Sequence, residues 1–108
     1  MTPIQKDILT YIRSSGTKER PISGKDLKEH FGLNDTKRVR EAVASLRRQG
    51  EPICSRRAGY FWPATREEAL TALGFMTHDI AARIAARNGM QRGIDRYFAL
   101  SLFDREVA

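Results

Sequence analysis

The chain has 108 residues, 41% of them hydrophobic and 30% charged, with 19 Lys or Arg against 13 Asp or Glu for a net charge of +6. That length holds one ordinary domain with at most an appendage, and the composition excludes a disordered chain, a disulfide scaffold and a membrane span of about 20 apolar residues. The opening MTPIQKDILTYIRSSG has neither the continuous apolar block nor the small-residue cleavage site of a secretory signal, so the expected location is cytoplasmic.

The first helix is signalled by Thr2 as cap, Pro3 at the first helical position and Gln5 three residues after the cap, as in a capping box. Ile4, Ile8, Tyr11 and Ile12 then recur at helical spacing, and the SSG at 14–16 ends the element. A second, two-turn helix starts at Ser23, with Asp26 three beyond it and Ile22 and Leu27 in the positions of a hydrophobic staple. Gly32 after Phe31 supplies its left-handed stop. The third helix takes Asn34 or Asp35 as cap and closes at Gly50. Within it Val39, Ala42, Val43 and Leu46 share an arc of roughly 100°, which must face a core. Opposite lie Lys37, Glu41, Ala44 and Arg48, flanked by Arg38, Arg40, Ser45 and Arg47. A solvated helix face usually mixes Glu and Lys; here Glu41 alone interrupts the cations.

After Gly50 the period changes to two. EPICSRRAGYFWPAT reads as a hairpin with a basic tip, Ile53 and Ser55 pointing one way and Cys54 and Arg56 the other. The turn is expected at Arg57, Ala58 and Gly59, with Tyr60 and Trp62 turned toward packing and Phe61 outward; Pro52 and Pro63 bracket the pair. Cys54 is the lone cysteine, and with His30 and His78 far off in sequence it forms no metal-ligand spacing, so it is expected to be a buried small hydrophobe. Thr65 with Glu68 caps a fourth helix running toward Asn88 and Gly89. Its Leu70, Leu73, Thr77, Ile80 and Ile84 follow a 3, 4, 3, 4 spacing that predicts a dimerisation seam. A fifth short helix is expected beyond Gly89, with Ile94, Tyr97, Phe98, Leu100, Leu102 and Phe103 as its apolar positions.

Charge divides the chain in two. Residues 1–64 carry 13 Lys or Arg and 7 Asp or Glu, whereas residues 65–108 carry 6 of each. Concentrating positive potential on one module suits a polyanionic partner, and a neutral extension suits self-association into a homodimer. The predicted division is a basic module over 1–64 and a helical extension over 65–108.

Three short helices followed by a basic-tipped hairpin resemble the winged helix-turn-helix family over residues 4–64. The likeness is to the biotin-repressor-type N-terminal domain and to small phage or prophage DNA-binding proteins. It rests on ISGKDLKEHFGLND for the second helix and turn, KRVREAVASLRRQGEPI for the third helix and first strand, and SRRAGYFWP for the wing. The resemblance implies a mainly α fold with a small β-hairpin, a winged helix-turn-helix followed by a C-terminal helical extension. It also implies a sequence-selective double-stranded DNA-binding protein that regulates transcription or replication.

The residues themselves point to the same chemistry. An α-helix fits the major groove, where Lys37, Arg38 and Arg40 would donate to guanine acceptors and Ala44 would meet a thymine methyl. Glu41 would accept from a cytosine amino group or orient Arg38 or Arg48. Arg47 and Arg48 are expected on phosphates, Arg56 and Arg57 on an adjacent phosphate or minor groove, and Lys25 with Lys28 on the backbone beside it. The alternative is a protein–protein adaptor whose C-terminal helices carry the partner interface. No Ser/His/Asp set, metal cluster, phosphate-cradling glycine loop or close carboxylate pair is visible, so neither an enzyme nor a cofactor is expected.

Overall fold

A computed structural model describes residues 1–57 and 59–107, with side chains as far as Phe98. Among these residues four helices and three short strands follow in order: α1 (Pro3–Ser15), β1 (Ile22–Ser23), α2 (Gly24–His30), α3 (Thr36–Arg48), β2 (Cys54–Arg56), β3 (Gly59–Phe61) and α4 (Arg66–Val107). Most of the chain is therefore helical, with a small antiparallel sheet.

Local chemistry explains where the elements begin. The Thr2 hydroxyl accepts from the Gln5 amide while the Gln5 side chain accepts from the Thr2 amide, closing the expected capping box of α1. Ser23 caps α2 by accepting from the Asp26 amide at 3.0 Å. Asp35, rather than Asn34, caps α3, its carboxylate accepting from the Arg38 amide at 3.1 Å. Thr65 accepts from the Glu68 amide at the start of α4. After α2 and α3 the backbone turns left-handed at Gly32 (φ 64°) and Gly50 (φ 97°), where a side chain would be strained.

The core lies where α1, α2 and α3 converge. Ile8, Ile12, Leu27, Val39 and Leu46 are fully excluded from solvent, joined by Leu9, Ile22, Ala42, Val43 and Ile53. All four residues of the predicted α3 arc are thus buried. Each large aliphatic side chain removed from water contributes about 1.5–3 kcal/mol, so α3 is held with one fixed face inward.

The sheet has a strand the hairpin reading lacked. Strand order is β1-β3-β2, with Ile22 opposite Tyr60 and Ser23 opposite Gly59 on one side, and Cys54 opposite Phe61 and Arg56 opposite Gly59 on the other. This central placement corrects two expectations. Phe61 is only 4% exposed rather than outward, because it shares a covered sheet face with its direct partner Cys54, also 4% exposed. Gly59 lies within β3 rather than in the turn: a Cβ there would stand 2.6 Å from Pro21 Cβ, so glycine is needed for close approach of the segment before β1. The left-handed residue of the connection is Arg57, at φ 49°; Ala58 lies outside the described residues. Tyr60 and Trp62 pack half-buried against the core, as expected.

The expected end of the fourth helix at Gly89 does not occur. One helix, α4, continues through Gly89 and Gly93 to Val107, in place of two. An interior glycine costs a helix about 1 kcal/mol relative to alanine, but it terminates one only when the next residues supply a capping partner. Leu100, Leu102 and Phe103 lie outside the residues whose side chains are described. The chain divides into a compact unit over Met1–Leu73, which includes the opening turns of α4, and a second unit from Gly74 onward. Among the described residues no helix is long and apolar enough to cross a membrane.

Candidate functional site

With Val39, Ala42, Val43 and Leu46 inward, the turn of 100° per residue distributes the other α3 side chains. Lys37, Arg38, Arg40, Glu41 and Arg48 are exposed and Ala44 is half-buried. Arg38 and Arg40, two residues apart, fall on opposite flanks. Arg38 lines a depression of about 340 Å³ with Ile4 and Gln5 of α1, together with Glu41 and Arg48. Arg40 lines a different one of about 180 Å³, formed with Thr36, Ser55, Arg57 and Gly24. Arg38 and Arg40 therefore do not address one spot.

The Arg40 depression joins three elements. Thr36 and Arg40 come from the first turns of α3, Ser55 and Arg57 from the β2–β3 hairpin, and Gly24 from the start of α2. The Arg40 Nη1 donates to the Thr36 hydroxyl at 3.3 Å, which aims the guanidinium back along the helix. Beyond the hairpin lies a further depression of about 490 Å³ in which Arg56 and Arg57 meet Lys18 of the α1–β1 loop, with Glu19 as its single acid. Arg57 borders both. Lys25 is exposed in the first turn of α2, one residue after Gly24.

Arg47 has a different position from the one expected. Its Nε donates to the Ile53 carbonyl at 2.8 Å and its Nη2 to the Ser55 hydroxyl at 2.6 Å, so it ties the end of α3 to β2. Burial lowers its pKa from the ordinary guanidinium value, with charges at Tyr60 and Cys54 acting in the opposite sense. Arg47 thereby sets the hairpin's height beside α3 instead of presenting a free cation. Burial likewise raises the Cys54 thiol above its ordinary value, while Arg47 works against the rise.

Little of the positive charge is neutralised internally. Among the described residues the ion pair within 4.0 Å is Lys37–Glu41, at 3.9 Å with both side chains about two-thirds exposed. Such a surface pair contributes about 0–1 kcal/mol and dissolves readily when a stronger anion arrives. Arg40, Arg56 and Arg57 thus have no acidic side chain within 4.0 Å among the described residues. Thr36, Ser55 and Lys18 were not singled out by sequence spacing; Ser55 was placed on a strand face, but only the packing of the hairpin against α3 gives it this neighbourhood.

The predicted seam residues Leu70, Leu73, Ile80 and Ile84 are each at least half exposed, and Thr77 is exposed. Compared with known proteins, the chain matches no family model, no curated protein and no solved structure.

Proposed function

We propose that the chain is a non-enzymatic, winged-helix type double-stranded DNA-binding protein that acts as a homodimer. The observation that carries this reading is the shared depression of Thr36, Arg40, Ser55 and Arg57. It sets hydroxyl donors and two cations from a helix and a hairpin on one concave surface, the donor set suited to phosphate and base-edge oxygens. In this reading α3 enters the major groove, with Arg40 on the side of the hairpin and Lys37 and Ala44 outermost. Arg38 and Arg48 contact the flank nearer α1. Arg56 and Arg57 follow the neighbouring strand, where Lys18 extends the cationic track past the hairpin, and Lys25 rests on the backbone beside α2. Selectivity for sequence rests on the α3 side chains; a role in transcription or replication follows from the family resemblance alone.

Fluorescence anisotropy against a random duplex pool, followed by selection of the tightest fragments, tests the reading. Engagement of about five phosphates gives a log-log salt slope near −4 to −5. Replacing Arg40 and Arg57 together with Ala is expected to lower affinity by about 100-fold, since each lost charged contact is worth roughly tenfold. A salt-independent affinity, or a double variant that binds like the parent, rejects it. One observation favours a second reading, a protein–protein adaptor: the exposed apolar residues of α4, including Phe75 at 66% and Met90 at 70%. A partner interface built from them would be nearly indifferent to salt.

A further inference from the structure

A hydroxyl carries one hydrogen, so a hydroxyl that accepts from a neighbour still has that hydrogen to give. Both hydroxyls of the Arg40 depression accept from arginine: Thr36 Oγ1 from Arg40 Nη1 at 3.3 Å, and Ser55 Oγ from Arg47 Nη2 at 2.6 Å. Each O–H is left to donate outward, and accepting from a cation polarises it toward doing so. Arg40 and Arg57 add N–H donors and no acceptor. Among the described residues the lining includes no Asp or Glu, and the Tyr60 hydroxyl, its remaining polar side-chain group, can donate as well. The depression therefore offers donors to whatever enters it.

The depression on the other flank of α3 is mixed. There Arg38 and Arg48 are joined by Glu41, an acceptor, and by the Gln5 amide and Ser45 hydroxyl, which can play either part. Base pairs present donors and acceptors in different orders, so telling them apart takes both kinds of group, whereas every phosphate shows acceptors alone. Guanine's edge shares the acceptor pattern, and shape then decides. Base edges lie on the floor of a groove about 8.5 Å deep and are reached by projecting side chains, while phosphates stand out along its rims and fit a concavity. Thr36 and Ser55 are short side chains at a concavity of about 180 Å³. That is below the roughly 300 Å³ at which small-molecule sites begin, and suits a single group.

We infer that the depression of Thr36, Arg40, Ser55 and Arg57 seats one backbone phosphate of the duplex and not a base edge, leaving base reading to the outer face of α3 and the Glu41 flank. This rests on the DNA binding proposed above and divides its labour. Arg47 is then a positioning residue: by donating to the Ile53 carbonyl and the Ser55 hydroxyl it holds the Ser55 oxygen at the seat.

Two series of altered duplexes test this, each built on the tightest fragment selected from the random pool and bound by the full chain at matched salt. In one, single phosphates are replaced by uncharged methylphosphonates; in the other, single guanines by the deaza analogue that lacks the N7 acceptor. Thr36→Val removes one donor and is expected to bind the unaltered duplex about tenfold less tightly than the parent, the worth of a hydrogen bond to a charged group. At one methylphosphonate the parent is expected to lose about tenfold and Thr36→Val only about threefold, because the two changes remove the same contact. Ser55→Ala should show the same coupling, and Thr36→Val carries the test even where loss of the Arg47 partner weakens the sheet. A fresh selection with either variant should return the parent's preferred bases. Coupling to the guanine analogue instead, a changed base preference, or a Thr36→Val that binds and responds like the parent overturns the phosphate seat while leaving DNA binding intact. A parent that binds no duplex overturns both.

Discussion

Isoleucine meets opposite fates in the two parts of this chain. In α1, Ile8 and Ile12 are fully buried, whereas in α4, Ile80 and Ile84 are more than half exposed. Both helices are capped and both carry apolar residues at helical spacing, so propensity does not separate them. The difference is a partner. Helix α1 has α3 and β3 against it, and Gly16 at its end lies so close to the strand that a Cβ would stand 3.1 Å from Phe61 Cα. The comparison teaches that periodicity reports a face to be covered and is silent on whether this chain or another covers it.

The sharpest way to break that contrast is to truncate one residue from each part. Leu46→Ala, at a site with no exposure, is expected to lose about 3 kcal/mol in urea unfolding, from lost transfer energy and a residual cavity. Ile84→Ala should change the unfolding of residues 1–73 by less than about 0.5 kcal/mol. Similar losses for both would mean that α4 is part of the same cooperative core.

A smaller effect sharpens the division inside the module, between cations that hold the fold and cations free for a partner. Arg47→Ala removes the bonds to Ile53 and Ser55 and is expected to cost about 2 kcal/mol of stability. Arg40→Ala, whose side chain reaches only an exposed hydroxyl of its own helix, should cost under about 0.5 kcal/mol while reducing DNA affinity. Equal melting of the two variants would place Arg47 among the free cations.

The smallest expected effect concerns pH. Because burial raises the Cys54 pKa, the unfolded thiol ionises before the folded one as pH rises. The stabilisation is complete below the ordinary thiol value and is lost between that value and the raised one. Wild type should therefore lose stability relative to Cys54→Ala as pH climbs through that window, and a thiol reagent should react slowly with the native protein. A difference between the two proteins that is flat across the window would place the thiol in water.

Much of the first unit was legible because its signals are local. The caps at Thr2, Ser23 and Thr65, the glycines after α2 and α3, and the buried arc of α3 each depend on residues a few positions apart. Strand β1 was not legible, since two residues carry no period and Ile22–Ser23 becomes a strand only through its pairing with Gly59 and Tyr60. Phe61 was misread because alternation shows which residues share a face but not whether that face is covered, and both Phe61 and its cross-strand partner Cys54 are 4% exposed. The candidate site was half legible. Its cations were visible as a cluster, but the distribution of Arg38, Arg40 and Arg47 among three different neighbourhoods was not.

Sequence by itself determined the helix boundaries of the module, the inward face of α3 and the concentration of positive charge in residues 1–64, because caps, periodicity and charge are properties of near neighbours in the chain. Tertiary structure alone decided that Gly59 is a contact with Pro21, that Arg47 is a strut, and that Arg40 and Arg57 border one depression. Those outcomes depend on how segments far apart in sequence pack. Side-chain volume and buried hydrogen bonds settle that packing, and no short-range pattern encodes it.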